Sequence, residues 1–258
     1  MTRVICVASG KGGVGKTTSV VNLGSALNKF GYDTIIIDAN MGTPNLSLHL
    51  GMPRVGTTLH DVLANNKSIY EAVYAHPNGI KIVPAGMSMW ELSKKTKKKL
   101  GRELRKLDGI CDIILLDCSA GIRNEARTAI EASDELLIIT NPNLPSITDS
   151  LKTIELSKSL GVPAIGFILN RHNGHKYELS PENVKEFLNI PLLSIVPNDE
   201  HVKISQVKNH SVVDYKPNCK ASIGFKKAAA KIVGQKYSDL ENLNLIRRAI
   251  LYFRKLYK

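Results

Sequence analysis

The octapeptide Gly10-Lys11-Gly12-Gly13-Val14-Gly15-Lys16-Thr17 constrains this chain more than any other stretch. It matches G-x-x-x-x-G-K-[ST] in the context that gives the pattern a mechanism, after the apolar run 4–8 and at the start of a helical pattern over 16–30. Glycines let the backbone curl so that successive N–H groups converge at a helix N-terminus, where the dipole adds positive potential; the product is a phosphate cradle. In such a cradle Lys16 reaches the β- and γ-phosphates and the Thr17 hydroxyl ligates magnesium. The amides of Gly10, Lys11, Gly12, Gly13, Val14, Gly15 and Thr18 frame the anion. The expected ligands are therefore a nucleoside triphosphate and Mg2+.

The rest of the chain supplies a fold for that loop. Near-continuous apolar runs at 4–8, 34–38, 81–84, 112–117, 135–140, 164–170 and 192–196 read as strands covered on both faces. Helical patterns at 16–30, 89–107, 123–132, 147–160 and 181–188 fall between them, and Gly31, Gly109 and Gly161 stand where helices should stop. Such alternation predicts right-handed crossovers and an α/β fold, a doubly wound, mostly parallel sheet flanked by helices. No repeat or linker divides the chain before about residue 239, so 1–238 is expected as one domain and 239–258 as a helical appendage. No run of about 18 apolar residues is present, which excludes a spanning helix of that kind. The first strand begins at residue 3 with no charged leader, and a cytoplasmic location is expected. Cys6, Cys111, Cys118 and Cys219 stand singly, with no C-x-x-C pair and no His at ligand spacing; buried thiols are expected rather than disulfides, zinc or an iron–sulfur cluster.

Two further segments carry carboxylates at strand ends. Ile113-Ile114-Leu115-Leu116-Asp117 delivers Asp117 to the edge where ligands bind in such sheets, placed to hold a magnesium-bound water. Gly121, four residues on, can bring its amide close to a γ-phosphate because no Cβ intervenes. Ile35-Ile36-Ile37-Asp38-Ala39-Asn40 ends the preceding strand, with Asp38 and Asn40 adjacent to the same edge.

K-G-G-V-G-K-T, with a lysine near the loop's start, resembles the deviant phosphate loop of the MinD/ParA family of ATPases. Over about residues 2–235 the order of motifs is similar to that family, and the tail favours its MinD branch. The resemblance implies that Lys11 reaches the partner's phosphates in a nucleotide-sandwich homodimer. It implies that Asp38 supports the magnesium shell, and that the position of Asn40 orients the attacking water. The family carries Asp there; an amide orients water but cannot accept its proton, so slow or partner-dependent hydrolysis is expected. Ser119 likewise replaces the usual proline of the switch after Asp117. Asn141-Pro142 and Thr148-Asp149-Ser150 follow the family's order, Asn170 falls where it recognises adenine, and Pro197-Asn198-Asp199 looks like the other wall of the base pocket.

The formal charge of +12 is local rather than diffuse. Residues 94–106 carry eight basic side chains against Glu103 alone, and 247–258 carry five with no acid, so the remainder is neutral. On a helical wheel, 243–258 separate a wide Leu/Ile/Phe/Tyr face from an Arg/Lys face. That arrangement suits a helix lying in an anionic membrane interface, on the cytoplasmic face, or docked in a protein groove. The run 94–106 reads as a solvated helix face, with nucleic acid as the alternative and a DNA-partitioning ATPase as the corresponding rival function. A protein partner that activates hydrolysis completes the expectations.

Overall fold

The computed structural model describes residues 1–52, 55–64, 67–86 and 94–238, with the backbone alone at 94–98. Within them an eight-stranded sheet has the order β3-β4-β2-β5-β1-β6-β7-β8. The strands are β1 Arg3–Ala8, β2 Thr34–Ala39, β3 Tyr74–Ala75, β4 Lys81–Val83, β5 Ile113–Cys118, β6 Glu135–Thr140, β7 Ala164–Asn170 and β8 Leu192–Val196. All described pairings are parallel except the short edge pair β3–β4. Strands added after β1 go to both sides of it, so a crevice opens beyond its C-terminal end.

Successive residues of each strand face opposite layers. Ile5, Val7, Ile36, Leu115, Leu137 and Ile168 pack against α1 (Lys16–Lys29), α9 (Val212–Tyr215) and α10 (Lys220–Ile232). Cys6, Ile35, Ile37, Leu116, Ile138 and Phe167 pack on the other side. That layer is built by α3 (Leu59–Leu63), α4 (Lys94–Arg105), α5 (Asn124–Glu131), α6 (Leu144–Ser159) and α7 (Pro181–Leu188). Both faces being covered is why the strands read as unbroken apolar runs.

The seven expected strands are present; Gly31 and Gly161 take positive φ just past the ends of α1 and α6, and Gly109 does so in a turn four residues beyond α4. Helix α6 begins at Leu144, ahead of the expected 147, because the Asn143 side chain accepts the Ser146 amide at 3.0 Å and Pro145 sits in the first turn. The expected helix 89–107 is described as α4, with 87–93 outside the described residues. Unexpected were β3, the one-turn helices α2 (Leu46–His49), α3 and α9, and the longer α8 (Glu200–Val207) and α10. The boundary at 238/239 and the amphipathic helix 243–258 lie outside the described residues. No described helix is long and apolar enough to cross a membrane. All four cysteines are buried and free.

Candidate functional site

The glycine loop joins the end of β1 to α1. Gly15 is the N-cap residue, at φ 92°, a left-handed conformation costly to any residue with a Cβ. A Cβ there would also fall 2.5 Å from Nδ2 of Asn170. Gly10 is required for a different reason: a Cβ would lie 2.0 Å from the backbone carbon of Asp149, since α6 packs directly on the loop. Beyond the loop lies an open cavity of about 1330 Å³. Gly12, Gly13, Gly15, Lys16, Thr17 and Thr18 form its floor, Asn40, Thr43 and His49 one wall, and Ser119, Arg123 and Glu125 another.

The strand register sets the charge at that floor. Asp38 of β2 pairs with Asp117 of β5, side by side at the strands' C-terminal ends. Lys16 Nζ lies 2.6 Å from Asp117 Oδ1, with both side chains almost wholly buried. Asp38 accepts the amides of Asn40 through Oδ1 and of Asn45 and Leu46 through Oδ2, each at 3.1 Å. Burial, reinforced by the Asp117 charge, pushes the Asp38 carboxyl up to about 7 despite those amides. Burial works to lower Lys16, but the charge and hydrogen bond of Asp117 prevail and raise it. Lys16 thus contacts one of two neighbouring carboxylates, and Asp117 Oδ2 is buried with no partner among the described residues. An orphaned carboxylate oxygen, excess negative charge and the Thr17 hydroxyl on the first turn of α1 are the donor set a hard dication takes, so the residues fit Mg2+.

The Asp38 shift has a measurable sign. A carboxyl raised from 3.8 to about 7 contributes most to the metal-free fold at acid pH, and that contribution is lost as pH rises through about 7. Urea midpoints of metal-free protein are expected to decline over this interval, and Asp38→Asn to flatten the decline. An unchanged slope in the variant would assign the titration elsewhere.

The remaining candidates divide. Lys11 is exposed at the rim, and its ammonium has no partner among the described residues. Val14 is buried; its carbonyl accepts Asn170 Nδ2 at 2.7 Å, so Asn170 braces the loop from beneath. Thr18 Oγ1 accepts Gln206 Nε2 of α8 at 2.7 Å. The Gly121 amide donates to Ser9 O at 2.9 Å, across the loop's base. Asn40 lines the cavity, but its amide turns back on its own loop, donating to Thr43 O at 2.7 Å and accepting Thr43 Oγ1 at 3.2 Å. Pro197 lies outside the cavity lining; its neighbour Asn198 donates to Asn173 Oδ1 at 3.2 Å, tying the loops after β7 and β8 together. In the basic run, Lys99 donates to Leu63 O at 2.6 Å and Lys106 pairs with Glu103 at 2.7 Å, so two of its four described basic side chains serve internal contacts.

Sequence reasoning missed His49, Ser119 as a cavity group, Glu125 and Gln206. Burial lowers the His49 imidazole from its ordinary value. The Ser119 hydroxyl is buried without a partner among the described residues. Glu125 Oε1 lies 3.0 Å from where a Cβ of Gly42 would stand, facing the Asn40 loop. An acid in the first turn of α5, directly after the Asp117 segment, was the available signal.

A family model described as AAA domain matches residues 2–159. Another, described as 4Fe-4S iron sulfur cluster binding proteins of the NifH/frxC family, matches residues 123–246. Cys219 is the only cysteine in that span, too few thiolates for such a cluster. An uncharacterised ATP-binding protein of Methanocaldococcus jannaschii is 37% identical over 92% of this chain and 90% of its own length. The septum site-determining protein MinD of Synechocystis sp. is 32% identical, over 97% of this chain and 99% of its own. The solved structure of MinD from Pyrococcus horikoshii OT3 complexed with Mg-ADP superposes with a TM-score of 0.84 at 35% identity, covering 90% of this chain and 96% of that one.

Proposed function

Because this chain belongs to the MinD/ParA family of P-loop ATPases, we propose that it is an ATP-dependent dimerising switch, binding the cytoplasmic face of the membrane when paired and positioning cell-division or other cellular machinery. The observation that carries this reading is the buried Lys16–Asp117–Asp38 cluster beneath the glycine loop, of which Lys16 lines a cavity large enough for a nucleotide.

The residues have distinct roles. The amides of Gly12 to Thr18 and the Lys16 ammonium hold the phosphates of ATP. Thr17 and the carboxylates of Asp38 and Asp117 would hold Mg2+, which would neutralise charge on the phosphate oxygens. Lys16 turns from Asp117 to the phosphate, which leaves that carboxylate available as a ligand. By the family resemblance Asn170 and Pro197 lie on the base side, although here the Asn170 amide is taken up by the Val14 carbonyl and Pro197 stands outside the cavity lining. Lys11, free at the rim, reaches the second nucleotide of a pair. Its test is sedimentation velocity: the wild-type chain is expected to dimerise with Mg-ATP and not with Mg-ADP. Lys11→Ala should bind one ATP per chain yet remain monomeric. Dimerisation of Lys11→Ala with wild-type affinity would remove the lysine from the interface.

Hydrolysis by this chain is proposed to be slow without a protein partner. The amide of Asn40 accepts no proton and is satisfied by Thr43, leaving Glu125 and His49 as the acceptor groups around the cavity. In Asn40→Asp a carboxylate facing the Thr43 carbonyl is repelled toward the cavity. Positioned bases contribute about 10²–10⁴-fold, so basal turnover is expected to rise at least about tenfold. A brisk wild-type rate, unchanged by Asn40→Asp, would contradict this.

A further inference from the structure

Spacing along the chain offers no reason to connect the cysteines with a metal, since Cys219 has no partner at ligand spacing. The fold corrects that. Asp199 and Cys219 are the N-cap residues of α8 and α10, and packing of the two helix starts sets them together with His201. One ligand atom from each of the three lies within 4.8 Å of the other two. His201 Nδ1 is 2.8 Å from Asp199 Oδ1, a hydrogen bond that a small metal would replace by opening the pair to about 3.3 Å, the edge of its coordination tetrahedron. Cys219 is buried, while His201 keeps a third of its side chain exposed, leaving one side of the cluster open to water.

The supports are in place as well. Asp199 Oδ1 accepts the His201 amide at 3.0 Å and Oδ2 the Ala221 amide at 3.2 Å; Cys219 Sγ accepts the Ser222 amide at 3.4 Å. These bonds fix the ligands' directions without occupying all their lone pairs; burial and the neighbouring Asp199 raise the Cys219 thiol above its ordinary value, so a metal must displace its proton. We propose that Asp199, His201 and Cys219 form a site for one borderline divalent transition metal, of which Zn2+ is the type, with water in the fourth position. Thiolate, imidazole and carboxylate together are wrong for Mg2+ and right for this class. Binding forms an S–metal bond as the thiol proton leaves to solvent, and the imidazole gives up the Nδ1 proton it shares with Asp199 and takes one on Nε2, so that Nδ1 can ligate.

The site lies outside the nucleotide cavity, and the proposal stands whether or not the nucleotide reading does. It would still reach that cavity: α8 runs from Asp199 to Gln206, whose side chain holds Thr18 at the phosphate loop. A cation here stiffens the start of α8 and, through it, the loop's outer wall.

The test is Co2+ titration of the chelator-treated full chain, followed by absorption, with Zn2+ competition. The expected result is one equivalent bound, a thiolate-to-cobalt charge-transfer band, and loss of the band on adding one equivalent of Zn2+. Cys219→Ser should abolish the band although Cys6, Cys111 and Cys118 remain. His201→Gln, which keeps the thiol and both helix caps, should weaken Zn2+ binding at least tenfold and cancel the rise in melting temperature that Zn2+ gives the wild type. Absence of the band, its persistence in Cys219→Ser, or an affinity indifferent to His201→Gln would overturn the proposal. Melting of each variant without metal identifies any that fails to fold, and the other variant then decides.

Discussion

Lys16→Ala is expected to bind no measurable Mg-ATP and to unfold at lower denaturant than the wild type. The two effects have one origin. Lys16 supplies the charge that phosphate needs and, without ligand, the charge that Asp117 needs at 2.6 Å. Removing one member of a buried ion pair costs about 3–5 kcal/mol, a large share of the 5–15 kcal/mol typical of a domain. Protonation of Asp38, already displaced to about 7, returns part of that cost at acid pH, so the loss should be greatest above neutrality. Lys16→Arg separates the two effects. It keeps a cation beside Asp117 and hence most of the stability, but a planar guanidinium does not fit where a slim ammonium must lie within the loop. Calorimetry with Mg-ATP and urea titrations at two pH values read both quantities. Wild-type affinity in Lys16→Ala would mean that phosphate is held somewhere else.

Loss of the basic tail is the other large effect expected. With Mg-ATP the full chain should co-sediment with vesicles containing anionic lipid, and with Mg-ADP mostly remain in the supernatant. Five basic residues at about 1 kcal/mol each give one tail only weak adhesion, before the cost of ordering it. Two tails on one dimer make the second contact intramolecular, worth roughly 10²–10⁴ in avidity. Removal of 239–258, or Arg247→Glu with Arg248→Glu in the full chain, should abolish sedimentation while leaving nucleotide affinity intact. Binding that survives both changes would assign adhesion to another surface, with 94–106 the next to test.

The strands were legible because each is buried on both faces, which forces runs such as Ile35-Ile36-Ile37 and Ile113 to Leu116 that few other structures require. The phosphate loop was legible because its chemistry fixes spacing. What escaped notice lacked both signals. Helices α2, α3 and α9 are single turns, too short to show a period. Helix α10 buries Ala221, Ala228 and Ala229, whose small side chains leave a faint apolar stripe. At the site the sequence identified Asp38, Asp117 and Lys16, yet not that the first two are register partners or that the third pairs with one of them. Glu125, His49 and the Asp199–His201–Cys219 cluster depend on packing between distant segments, which spacing does not encode.

Asp38 holds the three amides of the 40–46 loop and also sits at the charged floor. That carboxyl is therefore a latch as well as a ligand, and Gly42, Thr43 and Asn45, which it restrains, face outward. Another macromolecule gripping this loop would sense the charge state of the interior without entering it. An antibody fragment raised against these outward residues would then be a reporter, its dissociation rate tracking whether the latch below holds a proton or a metal.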